Sequence, residues 1–211
     1  MRRFWALMAL KLVLAGLVVA GLVTWTLGIG PFSTRLEAVT ASQGKALIGG
    51  PFSLIDQTGK RVTEADFAGR ATLVYFGYTF CPDVCPTGLA TMMAAYDALT
   101  PEEQAKVVPI FVTVDPERDD VAAMASYVAL FHPALVGLTG TVEETDAAAA
   151  AWRVYHRKAE SEAASDYLVD HSSFTYLMDG RNEYVTHFSH GTTPEAMAEG
   201  IRTALAEGAA G

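Results

Sequence analysis

The chain has 211 residues, of which 51% are hydrophobic and 18% charged, with only two cysteines and a net charge of −9. That composition excludes intrinsic disorder and a disulfide-scaffolded mini-protein, and the length fits one ordinary domain plus an extension. Arg2, Arg3 and Lys11 are the only charges before Arg35, leaving 12 Lys and Arg against 24 Asp and Glu beyond them, a net of −12. A domain that acidic is a poor counterion-releasing partner for nucleic acid, and that class of function drops out first.

The N-terminus reads as a membrane address. Leu12 to Thr34 is an uncharged run of 23 residues. As a helix it would span about 34 Å, enough for a bilayer core of about 30 Å. Trp5 and Trp25 lie toward its ends, and the nearby positive charge all precedes it. That pattern puts the N-terminus in the cytoplasm and the domain in the periplasm or an equivalent exported space. A cleaved signal peptide competes with this reading, but it would be shorter, and Gly28 to Gly30 before Pro31 is a poor cleavage site. The expectation is a single-pass anchor of the inner membrane over residues 1–30, a tether over 31–48 and an exported domain over 49–211. Outside the cytoplasm a thiol pair oxidises by default.

The exported part alternates strand and helix signals. Pro51 to Asp56, the turn Gln57-Thr-Gly-Lys and Arg61 to Thr63 predict a β-hairpin. Ala71 to Tyr78 is apolar on both parities, as a buried central strand should be. Thr87 to Leu99 has helical spacing and stops at Thr100-Pro101. Val107 to Val114 predicts a second buried strand, ending in Asp115-Pro116. Asp119 or Asp120 caps a helix from Val121 to Phe131. After a short strand, Thr141-Val-Glu-Glu is a capping box that opens an alanine-rich helix to about Val154. Ser173 to Met178 and Glu183 to Phe188 form a hairpin about Asp179-Gly180. Thr193 and Pro194 open a last helix to about Glu207. This order predicts an α/β fold: a thioredoxin-like central mixed sheet flanked by helices, with an added N-terminal hairpin.

Both cysteines sit in Tyr78-Thr-Phe-Cys81-Pro-Asp-Val-Cys85-Pro, between a buried strand and the mouth of a helix. The free N–H groups and dipole of a helix N-terminus favour thiolate, so depressed pKa values are expected for both. An i, i+4 offset brings the Cα atoms to about 6 Å, close enough for a disulfide and open enough for a metal. Two thiolates suit a soft ion, Cu(I) foremost. A structural disulfide is the alternative, but so short a loop gives little leverage, about 2 kcal/mol or less.

Of the five histidines, His132 reads as a helix-end residue and His156, beside Arg157 and Lys158, as part of a solvated basic stretch. His187 and His190 fall on opposite faces of their strand. His171 lies in a loop entering the strand that begins near Phe174, which in a thioredoxin-like sheet packs against the cysteine-bearing helix mouth. An imidazole there makes a two-sulfur, one-nitrogen set suited to Cu(II) or zinc; a plain capping or loop histidine is the other reading.

At Cys81-Pro-Asp-Val-Cys85-Pro with Asp170-His171-Ser172, the chain resembles the Sco/SenC family of membrane-anchored copper chaperones. Gly49-Gly-Pro-Phe-Ser-Leu, Val74-Tyr-Phe-Gly-Tyr-Thr, Phe111-Val-Thr-Val-Asp-Pro-Glu-Arg-Asp, Gly137-Leu-Thr-Gly and Phe174-Thr-Tyr-Leu-Met-Asp fit the same family in order. The resemblance implies one copper ion per domain, Cu(I) or Cu(II), bound by Cys81, Cys85 and His171. It also implies a role in assembling the dinuclear copper centre of a cytochrome c oxidase subunit, with other copper chaperones or thiol-disulfide proteins as further partners. The same cysteines equally suit a thiol-disulfide oxidoreductase, with Cys81 and Cys85 as the catalytic redox pair acting on the oxidase subunit's copper-ligand cysteines or another exported client. Asp115, at a strand end, reads as a group near the ligands, a contact for a partner, a helix cap, or a salt-bridge partner of Arg118.

Overall fold

A computed structural model describes residues 47–159 and 167–208. The predicted anchor and nearly all of the tether lie outside the described residues. Among the described residues no helix is long and apolar enough to cross a membrane.

The first hairpin is formed by β1 (Ser53–Asp56) and β2 (Arg61–Thr63), paired antiparallel as expected. The Asp56 carboxylate closes its turn by accepting from the backbone N–H groups of Thr58 and Lys60. A 3₁₀ turn, Glu64–Phe67, leads into β3 (Ala71–Gly77), whose seven residues are all buried. Helix α1 (Val84–Asp97) and the single turn α2 (Pro101–Gln104) follow, then β4 (Val107–Thr113), also wholly buried. Helix α3 (Val121–Val128) leads to β5 (Val136–Thr139), and α4 (Val142–Ala151) to β6 (His156–Ala159). After β7 (Leu168–His171) come β8 (Thr175–Met178), β9 (Tyr184–Phe188) and α5 (Pro194–Gly208).

Seven strands make one mixed sheet in the order β2-β1-β5-β4-β3-β8-β9. Its parallel core, β3 against β4 and β4 against β5, is crossed by α1 and α3, and the hairpins add antiparallel strands at both edges. Strand alternation sorts β3 between two layers. Tyr75 and Gly77 face α1: the Tyr75 hydroxyl donates to the Val84 carbonyl, and the Cys85 sulfur abuts Gly77. Phe76 faces the other way, its ring 5.6 Å from that of Trp152 just beyond α4. Helix α1 buries Cys85, Gly88, Leu89, Met92 and Tyr96, one stripe at helical spacing. Against it lies α5, burying Met197, Ala198 and Ile201.

The expected thioredoxin-like sheet is therefore present, with three departures. Helix α1 begins at Val84 rather than Thr87, because Pro86 falls in its first turn, where a missing N–H costs nothing. Thr100-Pro101 is a stop that at once restarts: Thr100 and Glu103 form a capping box on α2. The basic stretch at His156 is strand β6, paired antiparallel with β7 in a separate two-stranded sheet, and His171 ends β7 rather than lying in a loop. Three of the four β6 residues, His156, Arg157 and Lys158, are charged or polar, which leaves no apolar alternation from which to read that pairing.

Close packing predicts a stability effect at Gly88. A Cβ there would lie 2.8–2.9 Å from the Tyr75 ring and hydroxyl, whereas one at Gly191 meets nothing within 4 Å. Gly88→Ala is expected to cost about 1–3 kcal/mol by urea denaturation, with Gly191→Ala within about 0.5 kcal/mol of the parent. Equal stability in both variants would show that Tyr75 is not pinned.

Candidate metal centre

The site begins where β3 ends. The chain turns at Tyr78, whose carbonyl accepts from the Cys81 N–H. The buried carboxylate of Asp119 holds that turn, accepting from Thr79 N (3.0 Å), Thr79 Oγ1 (2.6 Å) and, from the last residue of β4, Thr113 Oγ1 (2.6 Å). Burial raises the Asp119 pKa, and the three donors oppose that shift. Asp120, not Asp119, caps α3 by accepting from Ala123 N. Sequence reasoning had offered Asp119 only as the alternative cap. Its place at the end of Asp115-Pro-Glu-Arg-Asp, beside the C-terminal edge of β4, is the signal that could have found it.

Cys85 is the second residue of α1, and its N–H, one of the helix's unpartnered donors, lies 3.4 Å from the Cys81 sulfur. Both cysteines are free thiols; Cys85 is fully buried and Cys81 is 8% exposed. His171 reaches in from β7 and places Nε2 3.1 Å from the Cys85 sulfur. Its Nδ1 lies 3.1 Å from the Ser172 carbonyl, which can only accept, so Nδ1 carries a proton and Nε2 is the ring nitrogen turned toward the sulfurs. Tyr75 and Tyr78 stand edge-on to the imidazole at 6.3 and 5.8 Å and wall it in. The two sulfurs and the imidazole nitrogen lie within 4.8 Å of one another, the one such group of metal-ligating atoms among the described residues. Cys81 and His171 open on a cleft of about 290 Å³ edged by Tyr78, Pro82, Val84 and Val169, with Cys85 buried behind them.

The expectation that both thiols are acidified needs correcting. The Cys85 S–H donates to Cys81, and with help from His171 and the Asp83 and Cys85 N–H groups it holds Cys81 down at about 4. Cys85 moves the opposite way, raised because its proton is shared with the Cys81 thiolate and because it is buried. The pair thus holds one proton between two sulfurs, with the anion on the sulfur nearer the cleft.

The other histidines stay apart. His132 accepts from Ala134 N and sits 3.2 Å from Asp97 at the end of α1. His156 lies 3.4 Å from Asp146, and His187 pairs with the Tyr184 hydroxyl at 2.6 Å. Asp115 is buried in an ion pair with Arg118, and also accepts from the Tyr167 hydroxyl at 2.7 Å. Of its four readings, the salt bridge is the one the structure displays.

A thioredoxin-like sheet that holds two cysteines and a histidine at a helix mouth defines a class of redox or soft-metal protein. The SCO1/SenC family model matches residues 40–206, and the chain belongs to that family. A relative from Arabidopsis thaliana, named Protein SCO1 homolog 1, mitochondrial, is 48% identical over 160 residues, covering 76% of this chain and 48% of its own. The crystal structure of Arabidopsis thaliana ScoI with copper bound aligns at a TM-score of 0.70 and 44% identity, covering 76% of this chain and 99% of that one. Bradyrhizobium japonicum ScoI with copper bound aligns at 0.69 and 42% identity, covering 74% and 99%. The chain spans about half the length of the curated plant and human relatives that it matches.

The shared proton has a direct readout in the reduced, metal-free protein. Ultraviolet thiolate absorbance should show one thiolate titrating near 4 and the second staying protonated above the ordinary thiol value of about 8.5. Cys85→Ala removes the donating S–H, so the Cys81 midpoint should climb toward that ordinary value. Two thiols titrating together near it in the parent protein would contradict this arrangement.

Proposed function

We propose that the protein is a membrane-tethered copper carrier, which takes one copper ion on Cys81, Cys85 and His171 and delivers it to the copper-centre subunit of cytochrome c oxidase. The observation that carries this reading is the pair of sulfurs and one imidazole nitrogen gathered within 4.8 Å. Copper-bound relatives at 44% and 42% identity support the choice of metal. Two thiolates satisfy soft Cu(I), and the imidazole adds the borderline donor that Cu(II) favours. Delivery proceeds by ligand exchange. A partner's ligands meet Cys81 and the half-buried His171 at the cleft first, while the fully buried Cys85 releases last. The uncharged run Leu12–Thr34 serves as the anchor that keeps the domain on the exported side, near a membrane-bound client, at raised effective concentration.

The free dithiol favours one second reading, disulfide reduction of an exported client. The Cys81 thiolate would attack one client sulfur and release the other as a thiolate. Cys85, once deprotonated, would then attack the Cys81 sulfur, close the Cys81–Cys85 disulfide and release the second client thiol. Two electrons pass from the pair to the client. His171 is not needed for that exchange, so it separates the two readings.

Anaerobic Cu(II) titration of the reduced full chain should therefore give one equivalent bound, with thiolate-to-copper charge-transfer absorption. His171→Ala should lose that band and keep thiol-disulfide exchange, and Cys81→Ser or Cys85→Ser should lose both. If the parent protein shows no band and its thiols are merely oxidised, the carrier reading fails and the oxidoreductase reading takes its place.

A further inference from the structure

His171 is mounted differently from the cysteines. Cys81 and Cys85 stand on one loop and helix turn at the end of β3, whereas β7 belongs to a separate two-stranded sheet with no ladder to the main one. Something other than backbone pairing must set the distance from imidazole to sulfur. Arg118 touches both mountings. Its Nη1 donates to the carbonyl of Tyr167, the residue that enters β7, at 3.0 Å, and its guanidinium lies 3.7 Å over the Tyr167 ring. The same guanidinium lies 4.9 Å from the ring of Phe80, the residue before Cys81, and 5.7 Å from that of Tyr78. Its Nε is held by the Asp115 carboxylate, which also accepts from the Tyr167 hydroxyl. Lys158 of β6 also lies over the Tyr167 ring, 4.7 Å from its centre.

We propose that Arg118 is the positioning residue that registers β7 against the cysteine loop, and so sets how strongly the site prefers Cu(II) over Cu(I). This rests on the copper reading above. Tyr167 directly precedes β7, which is extended from Leu168 to His171 at about 3.3 Å per residue, so a shift at Tyr167 is carried to the imidazole with little chain slack to absorb it. The two sulfurs keep their mutual geometry regardless, because Asp119 and α1 hold them. Losing the clasp therefore withdraws the nitrogen and leaves the thiolates, which penalises Cu(II) selectively. A lysine cannot replace the arginine: one ammonium cannot meet the Asp115 carboxylate and the Tyr167 carbonyl while lying flat on an aromatic face.

The experiment uses the full chain in detergent as parent, Arg118→Lys, Tyr167→Phe and His171→Ala. Cu(I) and Cu(II) affinities are read separately by chelator competition, and amide exchange is read in the metal-free state. Arg118→Lys should weaken Cu(II) by roughly tenfold or more and leave Cu(I) within about threefold. Exchange at Val169 to His171 should quicken while β3 and β4 stay protected, and Tyr167→Phe should move the same readouts less far. Unchanged Cu(II) affinity in Arg118→Lys would overturn the proposal, as would Cu(I) and Cu(II) weakening together with loss of β3 protection in both Arg118→Lys and Tyr167→Phe. Should Arg118→Lys alone fail to fold, the Tyr167→Phe measurements decide. If parent and His171→Ala bind Cu(II) equally, the copper role of His171 falls, whereas the metal-free exchange still decides whether Arg118 holds β7.

Discussion

The Cys85 sulfur occupies the space a side chain at position 77 would need. A Cβ on Gly77 would fall 2.7 Å from that sulfur and 2.9 Å from the Phe111 ring, so β3 can end under α1 only if its last residue carries nothing. That close approach buries Cys85 completely and draws the first turn of α1 onto the sheet. It also leaves the sulfur in a dry, poorly polarisable place, where burial weighs against its ionised form. Cys81, one helical turn back and at the mouth of the cleft, is relieved of that penalty by donors. The unequal acidity of the two thiols follows first from the proton they share and then from the burial that this close approach imposes on Cys85.

A second constraint acts on the loop between them and the strand. Asp119 spends both carboxylate oxygens on Thr79 and Thr113, and its own carbonyl accepts from Thr139 Oγ1 at 2.6 Å. One buried residue thus ties together the C-terminal ends of β3, β4 and β5. A buried carboxylate is costly unless its lone pairs are filled, and here hydroxyls and an N–H fill them. The loop that presents Cys81 is therefore tied to the strands beside it, although Pro82 leaves it one N–H donor fewer of its own.

The central strands, the two hairpins of the main sheet and the capped helices were legible because each is written in local pattern: apolar runs, the turns at Gln57-Thr-Gly-Lys and Asp179-Gly180, and the capping box of Thr141 with Glu144. The cysteine pair was legible for the same reason, and His171 through its place before β8. What escaped was tertiary. Strand β6 is His-Arg-Lys-Ala, with no apolar alternation, and it becomes a strand only because β7 lies beside it. The proton shared between the sulfurs could not be read from a helix-mouth rule, which treats each thiol alone. Asp119 looked like a cap because an adjacent aspartate truly is one. For β6 and Asp119 the deciding partner, β7 or Thr79, sits well along the chain; for the thiols it is the other sulfur.

The asymmetry of the pair matters more for function than its spacing. With Cys81 at the cleft and Cys85 behind it, an incoming ligand or disulfide meets one sulfur first, and the second is already poised to follow. Metal hand-over and mixed-disulfide exchange share that order, so the cysteines alone do not choose between them. The imidazole does. Thiol-disulfide exchange needs only the two sulfurs, whereas the imidazole nitrogen stands 3.1 Å from the inner one as a third ligand for a metal. A carrier that must hold copper through a change of oxidation state needs such a nitrogen, mounted apart from the sulfurs so that it can contribute to one state more than the other.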